Sequence, residues 1–201
     1  MTERLLLATT NSGKMKEMQA YLQGLPLELI PLSTLGDLEP FPEDGHTFSE
    51  NARGKSVFYS RLWDGLTLGE DSGLEVDQLS GAPGVFSARF SGPEATDQTN
   101  INKVLGLLGG IPKAQRTARF VSCMVLSRRG QILTEILAQA EGRILESPKG
   151  ARGFGYDPIF YYPPLEKTFA ELEREEKNRV SHRGQALSRL REYLSTVVKR
   201  G

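Results

Sequence analysis

Between the apolar triplets Leu66-Thr67-Leu68 and Leu74-Glu75-Val76 the chain places Gly69-Glu70-Asp71-Ser72-Gly73, two adjacent acids and a hydroxyl where a strand would enter a core. Burying a carboxylate is costly unless a cation or a hydrogen-bond donor compensates it. Any fold built on these two triplets must therefore supply partners for the acids or leave them in water. Gly73 permits a tight backbone turn, and hard oxygen donors at a strand end suit Mg²⁺ held together with a phosphate group. An exposed acidic hairpin turn fits the same five residues equally well.

Composition narrows the class. With 201 residues, 38% hydrophobic and 25% charged, the chain can bury one substantial core and is short for two independent domains. The expectation is one domain over 1–201, built as two lobes. Lys+Arg and Asp+Glu balance at 25 each, so no global field draws the protein to nucleic acid or to an anionic membrane, and any phosphate recognition must be local. Cys123, the single cysteine, excludes an internal disulfide and a multi-cysteine zinc site, and its place in Phe120–Leu126 predicts buried packing. The leucine run Leu5-Leu6-Leu7 is too short for the apolar segment of a signal peptide, and no apolar stretch has membrane-spanning length. A cytoplasmic location is the expectation.

Along the chain the apolar pattern alternates between periods near 2 and near 3.6. Leu5–Ala8 reads as a strand covered on both faces, and Lys14–Leu22 as a short helix with Met15, Met18 and Leu22 on one face, closed by Gly24. Leu27–Leu32 reads as a second strand, and residues 33–46 as a polar, acidic loop interrupted by Pro40 and Pro42. Thr47-Phe48-Ser49-Glu50 is a capping box opening a helix that carries Phe48, Ala52, Tyr59 and Leu62 at helical spacing through Trp63. A helix is predicted from about Asp97 to Leu108. Arg116–Ser127 and Gln131–Glu141 read as a long hairpin turning at Arg128-Arg129-Gly130 and projecting as a lobe. Ser181–Val198 reads as an amphipathic helix with Leu187, Leu190, Leu194 and Val197 inward. Together these elements predict an α/β fold with a mixed sheet, and ligands in such folds gather at strand ends.

Three further clusters carry polar chemistry. Thr9-Thr10-Asn11-Ser12-Gly13-Lys14 lies between the first strand and the first helix, where backbone N–H groups, the positive dipole end and a lysine can grip phosphate; an ordinary cap by Asn11 or Ser12 explains the same residues. Gly54-Lys55-Ser56 imitates the end of a P-loop, but Ser49 stands where the pattern needs glycine, and the triplet falls inside the capped helix. Lys55 can still reach a phosphate as a point charge, although a solvated surface lysine is the default. In Gly153-Phe154-Gly155-Tyr156-Asp157-Pro158, glycines flanking an aromatic ring let it stand clear of the backbone for a nucleobase, with Asp157 as an acceptor for a base N–H. A bulged turn with Phe154 in the core is the alternative. Lys177, Ser181, His182 and Arg183 gather at the start of the last helix, without the second histidine or cysteine that zinc would need.

Taken in order, these motifs resemble the inosine triphosphate pyrophosphatase (Ham1-like) family over nearly the whole chain. They are the Thr10-Asn11 loop with Lys14, Thr47-Phe48 with Glu50-Asn51-Ala52 and Lys55, Glu70-Asp71-Ser72-Gly73-Leu74, Gly81-Ala82-Pro83-Gly84-Val85 with Ser87-Ala88-Arg89, Gly153–Pro158, and Ser181-His182-Arg183-Gly184-Gln185-Ala186-Leu187. The resemblance implies an elongated mixed β-sheet flanked by helices, two lobes with the active-site cleft between them, and a homodimer. It implies Mg²⁺-dependent hydrolysis of ITP, dITP and XTP to the monophosphate and pyrophosphate. Asp71 would be the catalytic base and a metal ligand, Glu43 the second metal-binding carboxylate, and Glu70 an assistant. Thr9, Thr10, Asn11, Ser12, Gly13, Lys14, Lys55 and Ser72 would face the phosphates, and Phe154, Gly155, Tyr156, Asp157, Lys177, His182 and Arg183 the base. A purine 6-keto oxygen would accept from Arg183 or a backbone N–H, where adenine presents a donor. A pyrophosphatase for pyrimidine or modified nucleotides shares these residues. A non-catalytic nucleotide- or RNA-binding module would need a basic surface or more aromatics than 8%.

Overall fold

The computed structural model describes residues 2–198. The apolar run that opens the chain forms strand β1, Glu3–Ala8, whose last four residues are buried. Asn11 then caps helix α1, Ser12–Leu22, by accepting from the Lys14 N–H at 3.0 Å. Met18 and Leu22 are buried on its inner face, and the chain returns in β2, Leu27–Pro31, parallel to β1.

The predicted capping box is present. The Thr47 side chain accepts from Glu50 N and the Glu50 carboxylate accepts from Thr47 N, which fixes the start of α2, Phe48–Ser60. This helix stops three residues short of the predicted end, and Leu62 lies half exposed beyond it. Strand β3 then runs without a break from Leu66 to Val76 and pairs in parallel with β1. The expected turn at Gly73 is thus corrected: all five residues from Gly69 to Gly73 lie inside one strand, and Gly73 does not adopt positive φ. Glycine is required there by close approach, since an added Cβ would strike the Ser87 hydroxyl and come within 2.6 Å of the Gly84 carbonyl oxygen.

Helix α3, Asp97–Leu107, is capped by Thr96. Strands β4, Thr117–Arg128, and β5, Gln131–Ile144, follow, then β6, Phe160–Tyr162, and β7, Lys167–Thr168. The seven strands order as β2-β1-β3-β4-β5-β6-β7, with parallel pairing at β1 and antiparallel pairing at β5-β6 and β6-β7. The sheet is mixed and flanked by helices, as predicted. In the strand order β4 and β5 stand between β3 and β6, and β6 pairs only with Arg143 and Ile144 of β5. Short helix α4, Arg174–Val180, precedes α5, His182–Val198.

The chain divides into two compact units. The first comprises residues up to Asp71, Ser122–Ala138 and the segment from Gly184 onward; the second comprises Ser72–Val121 and Gln139–Arg183. The first is built around Leu5, Leu7, Met18, Leu66, Leu68, Met124, Leu187, Leu190 and Leu194. The second is built around Leu74, Val76, Ile101, Val104, Phe120, Phe160 and Phe169, with Arg116 buried and donating to the carbonyls of Leu108, Ile111 and Leu145. No helix among the described residues is long and apolar enough to cross a membrane.

Candidate active site

In the first unit the strand acids are buried among cations supplied by two helices. Glu70 and Asp71 are 1% and 5% exposed, which their charges tolerate only because each is partnered. Lys14, in the first turn of α1, places its ammonium 3.0 Å from Glu70 Oε2, and Ser122 of β4 donates to Glu70 Oε1 at 3.0 Å. Lys55, on the inner face of α2, donates to the Glu70 carbonyl at 3.1 Å and is ion-paired with Glu43 from the acidic loop. Lys55 is therefore buried, not the solvated surface lysine of the default expectation.

Asn51 completes the set. Gly45 N–H donates to its Oδ1 at 2.8 Å, and its Nδ2 donates to Asp71 Oδ2 at 2.9 Å. Burial pushes the Asp71 carboxyl above the usual carboxylate range, and the Glu43 charge adds to that; Lys14, Lys55 and the Asn51 amide oppose it. A base raised this way holds a proton more readily than a solvated carboxylate.

Around this group the remaining members of the first loop divide. Thr9 is buried and its hydroxyl accepts from Asn11 N–H, whereas Thr10, Asn11 and Ser12 are exposed at the start of α1, with Gly13 in its first turn. The cap reading of Asn11 is what the structure shows. Glu43 and Asp71 present carboxylates of the kind that hold Mg²⁺ when substrate oxygens complete the shell. The Glu70 carboxylate is instead directed to Lys14 and Ser122, and no cluster of three or more metal-ligating side chains occurs among the described residues.

In the second unit a turn presents Phe154. Gly153 and Gly155 adopt φ of +77° and +60°, a left-handed pair that non-glycine residues rarely tolerate. Asp157, 2% exposed, accepts from Phe154 N–H at 3.0 Å and is ion-paired with Lys177 at 2.6 Å. Asp97, at the start of α3, accepts from Gly155 N–H at 2.7 Å. The half-buried Phe154 ring has Lys177 Nζ 5.1 Å and Arg183 Cζ 5.5 Å from its centroid. Arg183 also donates to the Ser72 hydroxyl at 2.8 Å.

Two more of the residues expected on the base side are buried. Tyr156 is a core residue whose hydroxyl donates to the Ser87 carbonyl at 2.8 Å, and burial raises its phenol further out of reach of ionisation. His182 is buried with its ring stacked on Phe120, centroids 4.6 Å apart and 8° between planes. Asn51, Ser122 and Ser87 were not among the site residues expected from sequence. Asn51 and Ser87 stand within the motifs that carry the family resemblance, whereas Ser122 gives only a faint signal, a hydroxyl inside the apolar run Phe120–Leu126.

The Ham1 family model matches residues 5–193. The dITP/XTP pyrophosphatase of Thermoanaerobacter pseudethanolicus is 43% identical over 192 residues, covering 95% of this chain and 96% of its own. That of Syntrophobacter fumaroxidans is 46% identical over 198 residues, covering 97% and 83%. Among solved structures, a HAM1 protein from Coxiella burnetii superposes with a TM-score of 0.85 at 40% identity, covering 96% of this chain and 99% of that one. With the family match spanning almost the full sequence and relatives this similar over most of their own length, the chain belongs to the Ham1 family.

Proposed function

We propose that this protein hydrolyses the α–β phosphoanhydride of non-standard purine nucleoside triphosphates, dITP, XTP and ITP, to the monophosphate and pyrophosphate. The observation that carries the reading is the buried Asp71 carboxylate, oriented by Asn51 in a setting that also holds Lys14, Lys55 and Glu43. The names of the relatives support the substrate class.

Phosphoanhydride hydrolysis needs an oriented water, a proton acceptor and compensation for charge on several oxygens at once. In this reading Asp71 orients the water and takes its proton on the oxygen that Asn51 does not hold. The water oxygen bonds to phosphorus, and the bond from that phosphorus to the bridging oxygen breaks, releasing pyrophosphate. Lys14 and Lys55 neutralise the phosphates, aided by Ser72 and by the backbone N–H groups of Thr10–Gly13 at the positive end of α1. Mg²⁺, held by Glu43 and Asp71 with phosphate oxygens, would add charge neutralisation and leaving-group stabilisation. Glu70 serves by holding Lys14. Phe154 stacks on the base, with Gly155, Asp157, Lys177, His182 and Arg183 building its surroundings, and Arg183 and backbone N–H groups favour a 6-keto oxygen over an amine.

The same reading takes 1–201 as one pyrophosphatase domain acting as a cytoplasmic homodimer. The exposed side chains of Leu133 and Leu137, on the same face of β5, favour self-association, which light scattering measures directly. The decisive assay is pyrophosphate release from dITP, XTP, ITP, GTP, ATP and dUTP with and without Mg²⁺. Turnover of dITP and XTP far above GTP and ATP is expected; equal turnover across the panel would refute the substrate assignment.

A further inference from the structure

We propose that Asn51 is a positioning residue that locks Asp71 and the Glu43–Gly45 loop into one arrangement. It rests on the reading of Asp71 as the base. Asn51 sits in the first turn of α2, only 2% exposed, with both ends of its amide engaged. Its orientation is fixed by chemistry: Gly45 N–H can only donate, so the amide oxygen faces it and the nitrogen must face Asp71. An amide nitrogen only donates in turn, so the Asp71 oxygen it meets is held as an acceptor.

One small side chain thus joins residue 45, two positions after Glu43, to the strand acid at position 71, from a helix start fixed independently by the Thr47–Glu50 capping box. The loop is shaped to receive it. A Cβ on Gly45 would lie 2.6 Å from Asn51 Oδ1, so the amide and a side chain at position 45 cannot coexist without a shift. Ser49 and Arg53, offset by two residues from Asn51 and hence on the opposite side of the helix, both bind Glu135 of β5. The helix is therefore held from behind while Asn51 works in front.

The test separates the two ends of the amide. Asn51→Asp keeps an acceptor for Gly45 N–H and loses the donor to Asp71; Asn51→Ala loses both; Gly45→Ala displaces the amide from the loop side and also presses on Glu50 Cβ. Each should lower kcat for dITP roughly 10- to 100-fold with KM within about twofold, the cost of a misplaced catalytic group. Amide exchange by NMR should show Gly45 N–H still protected in Asn51→Asp and exposed in Asn51→Ala, a contrast that simple destabilisation does not produce. Turnover within about twofold of the parent in Asn51→Asp and Gly45→Ala, with Asp71→Asn inactive, would overturn the positioning role alone. An active Asp71→Asn would overturn the reading beneath it as well.

Discussion

Asp71 and Phe154 are held in opposite ways. Asp71 lies mid-strand, 5% exposed, and its neighbours come from helix positions whose backbone is fixed by caps and sheet packing. Phe154 stands on a turn with left-handed glycines on either side, half-buried, kept in shape by two carboxylates that accept its own and the next backbone N–H. Reorganising a charge during reaction is costly, so groups that act on developing charge belong on rigid elements. A stacking face has no such requirement, because every base offers a π surface and small displacements are tolerated.

The sharpest way to break this contrast is at its rigid side. Asp71→Asn retains size and the hydrogen bond from Asn51 but cannot take a proton. We expect kcat for dITP to fall on the order of 100-fold or more, with the melting temperature near that of the parent. A variant that turns over normally would leave Asp71 a structural acid. On the other side the largest expected effect is on stability. Asp157→Ala removes the carboxylate ion-paired with the buried Lys177, and breaking a buried pair from one side costs about 3–5 kcal/mol. In a chain of this length that lowers Tm by roughly 6–20 °C, measurable by calorimetry. An unchanged Tm would mean that Lys177 finds water and that the turn does not depend on Asp157.

How far the sequence reveals these two regions differs for the same reason. The elements were readable where the signal is local: the Thr47 box, the apolar β1 and the leucine face of α5 all have their cause within a few residues. Gly73 was misread because its local signal equals that of a turn glycine, while its actual cause is Ser87, fourteen residues away. The place of β4 and β5 in the sheet depends on strands β3 and β6, which the hairpin's own residues do not announce. Glu70 and Asp71 were legible as buried acids needing partners, but their partners Lys14 and Asn51 lie fifty-six and twenty residues away, and only one of them announces itself by charge. Tyr156 sits inside a motif that reads as a base-binding turn, and nothing local distinguishes the ring that points to the core.

Phe154→Ala sharpens the tolerant side. Removing a sequence-tolerant stacking face should weaken binding by about 1–3 kcal/mol, raising KM for dITP, XTP and GTP alike while kcat changes little. Lys177 and Arg183, which lie against the ring, would lose a cation–π partner but keep Asp157 and Ser72. A change in the ratio of dITP to GTP, in place of a common loss, would show that the ring selects among bases and that the two regions are equally exacting.

The smallest effect concerns the back of α2. Glu135 accepts from Ser49 and Arg53 at 2.5 Å each, and the Cys123 Sγ lies 3.6 Å away. Burial raises the Glu135 carboxyl, but the hydrogen bonds from Ser49 and Arg53 outweigh it and hold the group below its usual range. The Cys123 thiol is pushed up to about 12, by burial first and by the Glu135 charge second, so it remains neutral and does not compete. Because the folded value lies below the unfolded one, the stability Glu135 contributes is present above the ordinary carboxylate pKa and is lost as pH falls through the depressed one. Glu135→Gln should therefore melt below the parent near neutral pH, by an amount matching no more than about 1 kcal/mol for a partly exposed pair. The two curves should converge only once the pH has fallen through the depressed value, where the parent carboxyl is protonated. A Tm gap that persists unchanged into acid would show that the clamp works through shape and not charge, and that α2 presents Asn51 and Lys55 without electrostatic support from behind.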